Sequence, residues 1–253
     1  MDKALNFPGT GEDYFGFALH RFKVDGCDCV VVEPRNPRPG RQWVWKAEYF
    51  PAFPAFELEM LNRGFYFAFI QIEYECGSPG SLAHWDEFYC ELTAGYGFAR
   101  RAILFGLSVG GLYIYNWAAK HPDCVACLYG DNPVCDFKSW PGAKGKSPGN
   151  SEVWKTLIDR YRFPDEAAAL AYRGNPVDNL APLIRAGIPL VHAAATEDEV
   201  VPIAENTDVL ERNCHALGGE ITVFRHPGGH HPHGLPDLSP LIDWILRHGI
   251  GVD

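Results

Sequence analysis

Ala102-Ile-Leu-Phe105-Gly106-Leu-Ser108-Val-Gly110-Gly111 is the stretch on which the reading of this chain turns. Its first four residues are an apolar run of strand type, and from about Val109 a helical run continues to Lys120 and stops near His121-Pro122. Between them lies Gly-x-Ser-x-Gly. A strand that ends, a sharp turn at serine and a helix that begins lift the hydroxyl above the edge of a sheet. Small residues two before and two after the serine let strand and helix approach closely. The pentapeptide alone is common, but in this setting it marks Ser108 as a candidate nucleophile.

Working outward, the chain alternates. Residues 14–33 read as two strands around the turn Asp25-Gly26, and 42–50 as a strand after the proline-rich turn 33–40. A helix is expected at 54–63, a strand at 65–72 and a helix at 81–98. Beyond the central stretch, strands are expected at 125–129, 189–193 and 220–224, and helices at 203–217 and 240–247. Continuous apolar strands separated by helices predict an α/β fold whose mostly parallel sheet is covered on both faces. At 253 residues the chain fits one domain, 1–253. Residues 136–180, with clustered Gly, Pro and Lys and a short alanine-rich helix at 165–172, break the rhythm and are expected to form a small cap.

A serine hydroxyl needs a base, an acid to orient that base and donors for the oxyanion. The partners occur downstream in the order that suits this fold. Asp198 follows the strand 189–193, with Glu197 and Glu199 as neighbouring rivals. Gly228-Gly229 leads directly into His230, which is preferred as base over His231. The histidine-rich tract 226–233 also suits a metal, but no Cys, Asp or Glu with ligand spacing accompanies it, so no metal is expected. One oxyanion donor is the N–H of Val109. The second is expected after the strand 42–50, at Ala47 or Glu48, with the Tyr74 hydroxyl as an alternative.

Composition narrows the classes. A formal net charge of −10 repels phosphate backbones and excludes nucleic acid as an expected partner. No apolar run is long enough to cross a bilayer. The first residues lack the pattern of a secretory signal, so a cytoplasmic location is expected, or a secreted or periplasmic one if a signal has been removed. Most of the eight cysteines lie in apolar surroundings, and the Cys124-x-x-Cys127 spacing has no second pair to make a metal or redox site. Aromatic residues at 13% point to a bulky core and an aromatic-lined pocket, with Trp140 as a pocket residue and Trp85 and Trp154 as weaker candidates. Asp131, past the strand 125–129, reads first as a loop-capping carboxylate and alternatively as a candidate for binding substrate hydroxyls.

These motifs, with Asn175-Pro-Val-Asp-Asn-Leu180, Glu197-Asp-Glu-Val-Val-Pro202 and Gly228-Gly-His-His-Pro-His233, resemble the α/β-hydrolase superfamily, in particular its small prolyl-oligopeptidase-like members. The resemblance implies Asp198 as triad acid and His230 as base. It also implies hydrolysis of carboxylic esters rather than peptides, because no propeller-sized segment precedes the hydrolase portion. The features Gln42-Trp-Val-Trp45 and Pro133–Pro141 associate the chain with carbohydrate-linked esters. A small peptidase or amidase is the alternative, and a non-catalytic binding protein on the same scaffold is another. The expected partner is a small-molecule ester handled without a cofactor, with His231 beside the substrate; the oligomeric state is left open.

Overall fold

The computed structural model describes residues 5, 7, 8, 11–72 and 74–250. The strands are β1 (Gly11–Tyr14), β2 (Phe17–Val24), β3 (Cys27–Glu33), β4 (Trp43–Ala47), β5 (Tyr66–Ile70), β6 (Ala102–Leu107), β7 (Val125–Asp131), β8 (Leu190–Ala195) and β9 (Thr222–His226). The helices are α1 (Ala55–Asn62), α2 (Pro79–Cys90), α3 (Gly110–Lys120), α4 (Ser151–Arg160), α5 (Glu166–Ala171), α6 (Ala181–Arg185), α7 (Thr207–Ala216) and α8 (Ser239–His248). One nine-stranded sheet runs in the order β1-β2-β3-β5-β4-β6-β7-β8-β9. From β5 to β9 neighbouring strands are parallel, while β1, β2 and β3 form an antiparallel border that joins β5.

The residue pattern explains this layout. β4, β5 and β6 are buried at every position, as parallel strands covered on both faces must be. β2 buries Phe17 and Leu19 on one face and Phe22 on the other, with exposed or half-buried residues between them. Asp25 (φ 48°) and Gly26 (φ 80°) are both left-handed, the conformation that joins two strands of matching twist. On one face of the sheet Leu82, Trp85 and Phe88 of α2 and Tyr113 and Trp117 of α3 share a core with Trp43 and Trp45, which Leu210 of α7 also joins. On the other, Phe56 and Met60 of α1 and Leu241 and Ile245 of α8 meet Phe67, Phe105 and Tyr129. Trp85, expected near a pocket rim, is core: its ring stacks on Trp45 at 4.1 Å.

Several elements differ from expectation. β1 is an added edge strand, the helix expected over 81–98 ends at Cys90 and continues as a wider turn, and β7 runs to Asp131 rather than stopping at 129. α6 is not among the expected helices, α7 starts at Thr207 rather than 203, and β9 spans 222–226 rather than 220–224. The stretch 136–180 holds α4 as well as the short α5, each started by a side-chain cap: Asn150 accepts from Glu152 and Val153 N–H, and Asp165 from Ala168 N–H. Its apolar side chains Phe137, Trp140, Trp154 and Leu157 pack with Val109, Leu112 and Cys76, directly against the start of α3. Trp140 is therefore part of the packing of this stretch, not an open pocket wall. No described helix is long and apolar enough to cross a membrane.

Candidate active site

Loops from the C-terminal ends of β4, β6, β7, β8 and β9 converge at one edge of the sheet, where open parallel sheets place their sites. Ser108 follows β6 with φ 48°, a left-handed conformation unusual for a residue with a Cβ. The turn is held by Ser108 N–H to the Asp131 carbonyl (3.0 Å) and by Val134 N–H to the Ser108 carbonyl (2.8 Å). It needs its glycines: a Cβ on Gly106 would lie 2.6 Å from the Gly110 carbonyl oxygen, and one on Gly110 would lie 2.6 Å from that of Ala47.

The three residues expected to act together do meet. His230 Nε2 lies 3.0 Å from Ser108 Oγ, and His230 Nδ1 lies 2.6 Å from Asp198 Oδ2. Ser108, Asp198 and His230 are only 5%, 6% and 7% exposed, whereas Glu197 and Glu199 face solvent. The second carboxylate oxygen of Asp198 accepts Val200 N–H (2.9 Å) and Val201 N–H (2.8 Å), which fixes the carboxylate beneath the imidazole. Asn132 joins the two loops: its Oδ1 accepts Ala195 N–H (2.7 Å) and its Nδ2 reaches the His230 carbonyl. Nothing in the sequence singled out Asn132; an Asn directly after a strand end, where it tolerates its positive φ, was the available signal.

Val109 N–H takes no acceptor among the described residues and opens α3, so it is free to donate. Across from it the expected donors separate. Ala47 ends β4 inside the ladder and turns its carbonyl oxygen toward Gly110. Glu48 and Tyr49 follow with consecutive positive φ values of 64° and 56°, which bring the Tyr49 hydroxyl close enough to Ser108 and Tyr74 to interact with both. Burial, with Tyr74 adding to it, pushes the Tyr49 phenol well up, so it stays protonated and able to donate. Tyr74, 45% exposed, stands behind Tyr49 with ring centroids 6.2 Å apart. The loop that carries Tyr49 is braced from below by Lys46, which donates to the Ala52 carbonyl (2.7 Å) and pairs with buried Glu57; Glu57 also accepts from Tyr14. Burial pulls Lys46 down and pushes Glu57 up, and each partner opposes the shift of the other.

Glu48 is the other unexpected feature. Its carboxyl is buried, with Oε1 unpaired and the Tyr113 hydroxyl close by. Desolvation pushes it up to about 7, and the Tyr113 hydroxyl only partly offsets this. The folded chain therefore holds a proton that the unfolded chain releases near 4.5, so stability falls as pH rises from about 4.5 through 7. At about 1.4 kcal/mol per unit this amounts to roughly 3 kcal/mol. Glu48→Gln is expected to remove that loss, raising the melting temperature relative to the parent at pH 8 more than at pH 5. Equal differences at the two pH values would show that Glu48 is not the titrating group.

Asp131 is buried at the end of β7, where it borders a small cavity with Phe53, Phe56 and His233. Its two oxygens hold His233 Nδ1 (3.0 Å) and the Tyr129 hydroxyl (2.9 Å). His231 is exposed, its ring 4.8 Å from that of His230 and nearly parallel to Phe53. His230, His231 and His233 each present a ring nitrogen within 4.8 Å of the others, a cluster with the donor set of a transition metal. The eight cysteines are all free thiols, Cys124 and Cys127 included.

No known family's sequence profile matches the chain, and no curated protein sequence matches it. Solved structures do. A puromycin-hydrolysing peptidase of Mycobacterium tuberculosis has a TM-score of 0.71 at 12% identity, covering 93% of this chain and 40% of that one. An acylaminoacyl peptidase in complex with Z-Gly-Gly-Phe-chloromethyl ketone has a TM-score of 0.63 at 16% identity, covering 85% and 38%. Porphyromonas gingivalis dipeptidyl peptidase 4 has a TM-score of 0.65 at 13% identity, covering 92% and 35%. The chain thus spans about two fifths or less of the length of each. The likeness establishes the fold, that of an α/β-hydrolase, as the sequence resemblance implied.

Proposed function

We propose that this chain is a serine hydrolase that cleaves amide bonds of small acyl-aminoacyl or peptide-like substrates by acyl transfer. The observation that carries this reading is the unbroken hydrogen-bonded line from Ser108 Oγ through His230 to Asp198, with distances of 3.0 and 2.6 Å. His230 Nε2 takes the Ser108 proton as Oγ attacks the carbonyl carbon. The developing oxyanion is met by Val109 N–H and the Tyr49 hydroxyl, in a site where burial strengthens both. His230 then gives its proton to the leaving amine, and afterwards takes one from the water that releases the acyl group. Asp198 holds the Nδ1–H tautomer throughout. The stretch 136–180, packed on Val109 and Leu112, serves as the cap.

Ester hydrolysis, the first expectation from sequence, gives way here. It rested on what precedes the hydrolase portion, whereas the similar folds above belong to peptidases, and none of them is a carbohydrate esterase. Free and N-acylated aminoacyl p-nitroanilides should be compared with p-nitrophenyl acetate, with and without a fluorophosphonate and EDTA. Turnover of anilides that the fluorophosphonate stops and EDTA leaves intact is expected. Cleavage of p-nitrophenyl acetate with refusal of every anilide would return the ester reading. Failure to cleave either or to bind the fluorophosphonate would mark a non-catalytic scaffold.

A further inference from the structure

His230, His231 and His233 form a closed triangle beside the nucleophile, with ring centroids 4.8, 4.8 and 5.0 Å apart. Two of the three are backed by buried carboxylates on the same ring atom. Asp198 Oδ2 sits 2.6 Å from Nδ1 of His230, and Asp131 Oδ1 sits 3.0 Å from Nδ1 of His233. An Nδ1–H donated to a carboxylate fixes the tautomer and leaves the Nε2 lone pair outward and more basic, the support that metal-binding imidazoles almost always have. Asp131 is itself held by the Tyr129 hydroxyl, and the side chains of Asp131 and His233 are both 2% exposed. A catalytic triad requires only one such carboxylate–imidazole pair; the second, on the ring next to the base, has no role in acyl transfer. His231 completes the triangle on its solvent side, its ring 5.7 Å from Phe53 and 8° from parallel. Sequence spacing had shown no carboxylate near this tract, because both arrive from other strands, Asp131 from β7 and Asp198 after β8.

We propose that this triangle is an inhibitory site for a borderline divalent transition metal, Zn²⁺ in the first instance, bound by Nε2 of His230, Nε2 of His233 and a ring nitrogen of His231. Zinc–nitrogen bonds of about 2.0–2.1 Å put tetrahedral ligand atoms roughly 3.3 Å apart, so the rings must draw inward by up to roughly 1.5 Å. The loop has Gly228 and Gly229 on one side and Gly234 on the other to allow this. On binding, the His230 Nε2 lone pair leaves the Ser108 hydroxyl for the metal. Ser108 keeps its proton, Nδ1–H stays on Asp198, and no electron is transferred; the nucleophile has lost its base. Mg²⁺ and Ca²⁺, which prefer oxygen ligands, do not enter.

The inference rests on the proposed function for its activity readout only, so two readouts are paired. The first is Zn²⁺ inhibition of anilide or ester turnover by the full chain, with each variant normalised to its own metal-free rate. Inhibition reversed by EDTA, absent with Mg²⁺, and needing about tenfold or more Zn²⁺ in His231→Gln or His233→Gln is expected. The second is Co²⁺ added to Ser108→Ala, which lacks the competing hydroxyl: a visible four-coordinate Co²⁺ spectrum that His231→Gln in the same background weakens is expected. This readout needs no turnover, so it stands if the hydrolase reading fails. An unchanged half-inhibitory Zn²⁺ concentration in both histidine variants would overturn the site. So would a shift produced instead by replacing exposed Cys90, or a Co²⁺ spectrum indifferent to His231, and either result would leave the hydrolase reading in place.

Discussion

Ser108→Ala is expected to lower kcat by about 10⁶-fold, the scale on which removing the nucleophile of a Ser-His-Asp set acts. The three side chains work as a unit, so losing Ser108 costs nearly as much as losing all of them. What is expected to remain is the modest catalysis that the proposed donors, Val109 N–H and the Tyr49 hydroxyl, would give to direct attack by water. The fold is expected to stay intact. Ser108 already carries a Cβ at φ 48°, and the turn is held by backbone bonds to Asp131 and Val134 that alanine keeps. Turnover, covalent capture by a fluorophosphonate and a melting curve check this together. Undiminished turnover or capture with an unchanged melting temperature would remove Ser108 from its role.

Tyr49→Phe is expected to lower kcat by about 10²–10³-fold with little change in KM. A donor aimed at the oxyanion acts where charge develops, so its loss lowers kcat and kcat/KM together. Phenylalanine keeps the ring, so packing against Tyr74 survives and only the hydroxyl is lost. Tyr74→Phe, which removes a hydroxyl that touches Tyr49 but not the nucleophile, is expected to cost much less. A loss below threefold in Tyr49→Phe would assign the second donor to the backbone, where Glu48 N–H also lacks an acceptor among the described residues.

Much of the fold was legible because its signals are local. The apolar strands, the Asp25-Gly26 turn and the glycines around Ser108 each state a backbone requirement within a few residues of themselves. The misses share a physical cause. β1 is a border strand with one buried residue in four, so it carries no apolar pattern. Asp131 reads as a loop residue because a buried carboxylate inside a strand makes sense only beside His233, 102 residues away. Trp85 and Trp140 look like rim aromatics until the partners that cover them are in place.

The candidate site divides in the same way. The sequence by itself picks out the candidate nucleophile, and the order Ser, Asp, His, because the elbow and the glycine-led histidine are short-range backbone devices. Only the tertiary structure shows the preferred Asp198 and His230, rather than Glu197, Glu199 or His231, in line with Ser108, because burial and a 2.6 Å contact depend on two loops meeting. It also brings a candidate donor, the Tyr49 hydroxyl, opposite Ser108. Tyr49 gains its position from two left-handed residues and the Lys46–Glu57 brace, and neither a dihedral angle nor a buried ion pair is visible along a linear chain.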